Sequence, residues 1–160
     1  MSDIEYIYTD LPLNRLEYTA EEMIGRGQKM RYVSIDGSPA MGIKFSEVPP
    51  SRSRERWNIP FIDLRRYMIT QGAVRFEYDK NDPWERSDRM SLDWLLNFIR
   101  SHFKSGARKF YYARLWEGFD PDEKSPKLKK IDLAKFEPSE KGFKFGFHTI
   151  WEFVDSSVKP

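Results

Sequence analysis

The sequence contains no cysteine and only two histidines among its 160 residues. The absence of cysteine excludes disulfides, thiolate nucleophiles and cysteine-ligated zinc, and it suits the reducing cytoplasm, which is the compartment we expect. No apolar run approaches the roughly 20 residues that a transmembrane helix needs, so we expect no contact with a membrane. The first ten residues are acidic and rich in tyrosine, and this composition predicts no signal peptide.

Motifs of several enzyme classes are also missing. The sequence has no G-x-x-x-x-G-K-[ST] phosphate loop, no G-x-G-x-x-G dinucleotide motif and no G-x-S-x-G nucleophile elbow. Gly25 and Gly27 do not follow a predicted strand, and they indicate the end of a helix. We therefore expect no cofactor and no enzyme of these classes.

Large rings rather than aliphatic side chains dominate the apolar part of the sequence. Hydrophobic residues make up 39% of the chain and aromatic residues 16%. A chain of this length is most simply one domain, and we assign residues 1–160 to a single domain with a sizeable core. The charged fraction of 32% is typical of a water-exposed surface.

The clearest pattern is an alternation of aromatic residues near the end of the chain. It predicts one long strand from Gly142 to Val154 with an aromatic wall on one sheet face and a mostly polar row on the other. We expect the wall in the core, and its members are Phe143, Phe145, Phe147, Trp151 and Phe153. The opposite row contains Lys144, Gly146, His148, Ile150 and Glu152.

One strong and one short helix are predicted. Ser91 is the expected N-cap of a main helix over residues 91–104, whose apolar stripe includes Leu95 and Ile99. Thr19 and Glu22 have the spacing of a capping box, which predicts a short helix after Thr19. Further strands are expected at residues 4–8, 29–35, 41–48, 74–78, 110–116 and 131–136, and a weaker helical pattern covers residues 59–70.

The order of these elements predicts an α+β fold. Strands and hairpins with inserted helices do not form a regular βαβ alternation, so we expect a mainly antiparallel sheet of roughly five to seven strands. The main helix and one or two shorter helices should pack on this sheet. Residues 110–116 are apolar on both faces and should form a central strand.

The charge is distributed unevenly although the net charge is only +2. Residues 26–66 contain nine basic and four acidic residues, and residues 100–144 contain twelve basic and seven acidic residues. The simplest interpretation is a mixed surface whose parts neutralise one another after folding. The alternative is a basic patch that faces an acidic partner or nucleic acid.

Candidates for catalysis are few. His148 is the best general acid–base candidate, because histidine titrates near neutral pH, but neither a nucleophile nor a second base can be identified for it. Clustered carboxylates would suit a magnesium-dependent nuclease or another hydrolase. The clusters are Asp120, Asp122 and Glu123 beside Lys124, and Glu77 and Asp79 beside Lys80.

Nucleic-acid binding is a second hypothesis. Arginine and lysine loops could contact phosphates, and aromatic side chains could stack on bases. A strand face with Tyr112, Arg114 and Trp116 resembles such a stacking surface in outline. The expected lysine loop contains Lys124, Lys127, Lys129 and Lys130.

Our first hypothesis is non-catalytic recognition of another macromolecule, above all of a protein. Arginine, tyrosine, tryptophan and methionine are enriched at protein interfaces, and the chain contains many of them without a catalytic set. An inhibitor, an immunity-type or anti-defence protein, or a subunit of an assembly would fit. The candidate binding residues are Arg52, Arg54, Arg56, Trp57, Arg65, Arg66, Lys144, His148 and Glu152.

Overall fold

A mixed sheet of seven strands dominates the computed structural model, which describes residues 3–27, 42–48, 63–72, 74–116 and 125–158. Two short strands form a second sheet, and the described residues include one long and one short helix. In chain order the elements are β1 (Asp3–Thr9), β2 (Glu17–Tyr18), α1 (Ala20–Ile24), β3 (Ile43–Val48), β4 (Arg65–Gln71), β5 (Tyr78–Asp79), α2 (Glu85–Lys104), β6 (Phe110–Trp116), β7 (Lys127–Asp132), β8 (Gly142–Phe143) and β9 (Thr149–Val154).

The strand order in the large sheet is β2-β3-β4-β1-β6-β9-β7. Neighbouring strands are antiparallel except β7 and β9, which are parallel. The predicted α+β class is confirmed, but the sheet is mixed rather than purely antiparallel. The parallel pair arises because the chain forms β7 first and then returns to insert β9 between β7 and β6. Such a return cannot be seen in local sequence patterns.

The prediction of a central strand at residues 110–116 is confirmed. Strand β6 lies between β1 and β9, and apolar side chains are buried on both of its faces. Phe110 and Tyr112 point towards the helices, whereas Ala113 and Leu115 point to the opposite face. Each of these four residues is at most 1% exposed. Burial on both faces explains why the sequence of this strand does not alternate between apolar and polar residues.

Helix α2 is longer than predicted. It begins at Glu85, and Ser91 lies inside it, where its hydroxyl donates to the Ser87 carbonyl. The predicted N-cap at Ser91 is therefore wrong, because the first turns carry mostly polar side chains and do not show the apolar periodicity of the later ones. The predicted stripe is confirmed, with buried side chains at Leu92, Leu95, Leu96, Ile99 and Phe103.

The short helix α1 forms where the capping box predicted it. The Thr19 hydroxyl accepts from the Glu22 amide, and the Glu22 carboxylate accepts from the Thr19 amide at 2.8 Å. These two bonds satisfy amides that the first turn of a helix leaves without partners. Gly25 ends the helix with a φ of 86°.

The predicted long strand at residues 142–154 is broken into β8 and β9. Gly146 and His148 have positive φ values of 87° and 50°, which extended strands do not contain. Phe145 is fully buried and Trp151 is 8% exposed, so these two core predictions are confirmed, and Phe143 is partly buried against the same core. Phe153 of the same aromatic wall is also fully buried. The core prediction for Phe147 is wrong, since its side chain is 55% exposed.

Three other predicted elements differ from the structure. Residues 65–71 form β4 rather than part of a helix. The strand expected at residues 74–78 is reduced to β5, and the strand expected at residues 131–136 begins earlier, as β7. The strand predicted at residues 29–35 lies outside the described residues. In β4 the buried residues Tyr67 and Ile69 are two positions apart, as in a strand with one face in the core. The apolar residues of this segment also have a weak helical spacing, and for this reason the sequence predicted a helix.

Both faces of the large sheet carry packed apolar side chains. The larger cluster lies between the sheet and the two helices. A smaller cluster on the opposite face contains Tyr8, Ala113, Leu115 and Ile150. Neither described helix is both long enough and apolar enough to cross a membrane.

Candidate functional site

The arginine-rich part of the predicted binding set lies mainly outside the described residues. Arg52, Arg54, Arg56 and Trp57 belong to residues 49–62, which connect the paired strands β3 and β4. The role of these four residues in binding therefore stays a prediction.

Arg65 and Arg66 are adjacent in β4 and point to opposite faces of the sheet. Arg65 is exposed and pairs with Glu47 at 2.9 Å. Arg66 is only 7% exposed, and its guanidinium lies 5.1 Å from the centre of the Tyr6 ring. The two arginines therefore do not form one basic surface, and Arg66 contributes mainly to the packing of the sheet.

The predicted row of Lys144, His148 and Glu152 does not exist as a row. The positive φ values at Gly146 and His148 interrupt the strand, so the period of two does not extend from Lys144 to Glu152. Lys144 is exposed in the irregular segment between β8 and β9. The His148 carbonyl accepts from the Lys127 amide at 3.1 Å, directly before the first paired residues of β7 and β9.

Glu152 instead shares a cross-strand row with Arg66. The pairing registers connect Arg66, Tyr8, Tyr111, Glu152 and Lys130 across five strands, on the face opposite the helices. Burial and then the charge of Glu152 raise the pKa of the Tyr111 hydroxyl. Two predicted binding residues are thus brought into one row that was not expected from their positions in the chain.

The strand face with Tyr112 and Arg114 is not an open stacking surface. Tyr112 is 1% exposed and its ring centre lies 4.6 Å from that of Phe145. Arg114 pairs with Glu77 at 2.5 Å. Because Tyr112 is inside the core, it cannot stack on a base, and this part of the nucleic-acid hypothesis is wrong. The side chain of Trp116 lies outside the described residues.

Glu77 is the centre of a polar cluster at the edge of the core. Its Oε1 atom accepts from Arg114 and, at 3.1 Å, from the Phe145 amide, while Arg75 lies 3.8 Å from Oε2. The Tyr112 hydroxyl donates to Glu5. Burial and the charge of Glu5 hold the pKa of Tyr112 well above its usual value, so the hydroxyl remains protonated and continues to donate.

A partly open cavity of about 60 Å³ is lined by residues of this polar cluster. Pockets for small-molecule ligands typically measure ~300 Å³ or more, so this cavity is too small for a substrate of ordinary size. The carboxylate of Glu77 already faces a guanidinium and a backbone amide. The cluster therefore joins residues 75–77 and 145 to the sheet, and its geometry does not suggest a reaction.

The second histidine, His102, is part of the core. Its Nε2 atom lies 3.0 Å from the Thr9 hydroxyl, and both residues are at most 6% exposed. Burial lowers the pKa of His102, while a backbone hydrogen bond with Leu11 and the charge of Asp10 act in the opposite direction. An uncharged ring is therefore favoured, which suits its stacking with Phe98.

The carboxylate clusters considered for metal binding are not supported where the structure describes them. No group of three or more histidine, aspartate or glutamate side chains suited to a metal ion occurs among the described residues. Asp79 accepts from the Asn81 amide at 2.9 Å in a turn, and Glu77 pairs with Arg114. Asp120, Asp122, Glu123 and Lys124 lie outside the described residues.

Strand β7 forms an exposed basic edge that sequence reasoning interpreted as a loop. Among the described strands, β7 pairs only with β9, and its first four residues are exposed. We call these four residues, Lys127, Leu128, Lys129 and Lys130, together with the adjoining Phe147, the β7 edge. Phe147 adjoins them because the Lys127 amide bonds to the carbonyl of the next residue, His148.

The β7 edge carries the two most exposed large apolar side chains of the described residues. Leu128 is 68% exposed and Phe147 is 55% exposed, compared with 44% for Leu16 and 39% for Met68. The Lys129 ammonium lies 5.3 Å from the centre of the Trp151 ring, which holds this lysine against the sheet. The only sequence signal for the site was one leucine among three lysines.

Comparisons with known proteins give no relative for this chain. No protein-family model matches it, and no curated protein or solved structure matches it either.

Proposed function

We propose that this protein acts by binding another protein, without catalysis, and that the β7 edge is its contact surface. The observation that supports this proposal is the coincidence of Leu128 and Phe147 with three exposed lysines. An apolar centre surrounded by polar side chains is the usual arrangement of a protein interface. Burial of Leu128 in a complex would stabilise the complex by about 1–2 kcal/mol.

The charge of this surface favours an acidic partner. Lys127, Lys129 and Lys130 are all exposed, and Glu152 is the acidic residue next to Lys130 in the pairing register. Three lysines on one short strand attract an acidic surface and raise the rate of association at low ionic strength. They also disfavour partners of the same sign.

Binding to a protein fits the β7 edge better than binding to nucleic acid. Phe147 is the one ring of the β7 edge on which a base could stack, whereas Leu128, its most exposed apolar side chain, is aliphatic, and the Tyr112 ring is buried. The lysines alone would suit either class of partner, so nucleic acid is an outcome that the experiment must be able to detect.

Three titratable groups near the core make contacts within the fold, and this supports a function without catalysis. Glu77 pairs with Arg114, Tyr112 donates to Glu5, and His102 bonds to Thr9. These groups act within the fold. We also propose the cytoplasm as the compartment, because the chain contains no cysteine.

The experiment is an affinity purification from the native host with matched variants. Leu128→Ser removes the main apolar side chain of the β7 edge, and Leu16→Ser removes another exposed leucine, which precedes β2 near the other end of the sheet. Each preparation is divided into a nuclease-treated and an untreated half. Captured proteins are identified by mass spectrometry, and the affinity of each is then measured with purified components.

An acidic protein bound in stoichiometric amount after nuclease treatment is the expected result. Its affinity should fall about tenfold with Leu128→Ser, equivalent to about 1.4 kcal/mol, and should not change with Leu16→Ser. Equal binding by the two variants would remove the β7 edge from the proposal. Loss of all captured material on nuclease treatment, with a steep dependence on salt, would favour nucleic acid as the partner.

The arginines of residues 49–62 provide a second test of the contact surface. Val48 and Arg66, which flank this segment in the chain, lie in the cross-strand row that ends at Lys130 of the β7 edge. We expect simultaneous Arg52→Ser, Arg54→Ser and Arg56→Ser changes to weaken binding of the same partner. If its affinity is unchanged, these arginines do not belong to the surface.

A further inference from the structure

The backbone of β7 suggests how the partner is held. We infer that an extended acidic segment of the partner adds to the large sheet as a further strand beside β7. This inference rests on the protein-binding function proposed above. It specifies the chemistry of the partner segment and the backbone groups that it contacts.

Alternate residues of β7 direct their backbone groups to opposite sides. The Lys127 amide bonds to the His148 carbonyl at 3.1 Å, and the Leu133 amide bonds to the Val154 carbonyl at 2.8 Å. In a parallel pair this pattern repeats at every second residue, so Lys129 also faces β9. Leu128 and Lys130 therefore direct their amides and carbonyls away from β9.

The outer side of β7 is open in the part of the chain that the structure describes. No described strand pairs with β7 there, because β7 is the last strand in the order of the large sheet. The outward groups of Leu128 and Lys130 provide two donors and two acceptors. Such a row of backbone groups is a template for an additional strand.

The side chains of β7 define the chemistry of the added strand. Lys127 and Lys129 lie on the helix side of the sheet, whereas Leu128 and Lys130 lie on the other side, in register with Ile150 and Glu152. A partner strand would therefore place acidic residues opposite the three lysines and one apolar residue opposite Leu128.

A second copy of this chain does not fit the same edge. Pairing of two β7 strands would bring lysines of both copies opposite one another, and like charges in this position are destabilising. Lysines on an edge strand are a common protection against such self-association. An acidic segment reverses this effect, because each lysine then faces an opposite charge.

The test uses short capped peptides and amide hydrogen exchange measured by NMR. The probe is Thr-Glu-Glu-Val-Glu-Thr, which presents glutamates to the lysines and valine to Leu128 in an antiparallel pairing. One control peptide has lysine in place of every glutamate. A second control has proline in place of valine, which keeps the charge but removes an amide needed for pairing.

Strand addition should protect a particular set of amides. With the glutamate probe bound, exchange at Leu128 and Lys130 should slow by about tenfold or more, while exchange at Lys129 and Ile131 should change little, since these already face β9. The two control peptides should bind more weakly. Lys130→Ser should weaken binding of the probe about twofold to fivefold, and Lys44→Ser on the distant strand β3 should have no effect.

Two results would contradict strand addition, and neither of them would by itself contradict the proposed protein-binding function. If the probe binds but Leu128 and Lys130 are not protected, contact is made through side chains and the protein-binding function stands. If the glutamate probe binds no better than the lysine peptide at low salt, an acidic strand is excluded. The protein-binding function is then decided by the Leu128→Ser and Leu16→Ser comparison.

Discussion

The helix-facing core and the β7 edge differ in how far the chain itself surrounds their side chains. In the core, Phe145 is fully buried against the rings of Tyr112 and Trp151. At the β7 edge, Leu128 and Phe147 are more than half exposed, and three lysines stand beside them. We therefore expect changes in the core to affect stability and changes at the β7 edge to affect binding.

The largest difference should appear between Phe145 and Phe147, which are two residues apart and belong to the same aromatic alternation. Phe145→Ala should lower the free energy of unfolding by about 3–5 kcal/mol, because it removes a fully buried ring. Phe147→Ala should change it by about 0.5 kcal/mol or less, because that ring is exposed. Urea unfolding of both variants measures the two values, and similar losses would contradict the distinction.

A second comparison uses two Arg–Glu pairs. Glu77→Gln should lower the free energy of unfolding by about 3 kcal/mol, because Glu77 is 9% exposed in its side chain and the change removes the buried charge that pairs with Arg114. Glu47→Gln breaks the exposed pair with Arg65 and should cost about 0.5 kcal/mol or less. Chemical unfolding at neutral pH measures both. Equal effects would show that the Glu77 cluster is more open to water than its burial indicates.

The third prediction concerns pH. The pKa of His102 is lowered from 6.5 by burial, so the unfolded chain binds a proton more readily than the folded chain. The contribution of His102 is therefore complete above pH 6.5 and is lost as the pH falls through the lower folded value. His102→Gln should cost about 1–2 kcal/mol at neutral pH, with a smaller cost at acid pH.

Unfolding at neutral and mildly acid pH measures this difference. His148→Gln is the matched control, because it removes the other histidine of the chain. If the His102→Gln and wild-type curves remain parallel as the pH falls, the buried ring does not contribute to acid destabilisation.

The smallest stability effect is expected at the β7 edge itself. Leu128→Ser should change the free energy of unfolding by about 0.5 kcal/mol or less, because its side chain is 68% exposed. The same variant should bind the partner about tenfold more weakly. A loss of several kcal/mol in stability would mean that Leu128 belongs to the core, and the comparison between the two regions would then fail.

Several features could be predicted from local sequence because their physical causes are local. The capping box of Thr19 and Glu22 depends on residues three positions apart, and the apolar stripe of α2 depends on the helical repeat. The central position of β6 followed from its apolar character on both faces. The α+β class followed from the order of these elements.

The candidate site could not be predicted in the same way. The lysines of β7 were recognised as basic, but their position on the outermost of the described strands depends on the insertion of β9 between β6 and β7. The expected row of Lys144, His148 and Glu152 failed because positive φ values at Gly146 and His148 reset the alternation. Arg66 and Glu152 lie in one cross-strand row, separated by Tyr8 and Tyr111, only because of pairing across several strands.

The sequence by itself determined the periodic elements, the ring-rich core and the absence of cysteine chemistry, since each depends on residue type and short-range spacing. The tertiary structure decided which aromatic residues of one alternation are buried and which are exposed. It also decided which charges are paired and which strand forms an edge. These outcomes depend on contacts between residues far apart in the chain, so no local pattern contains them.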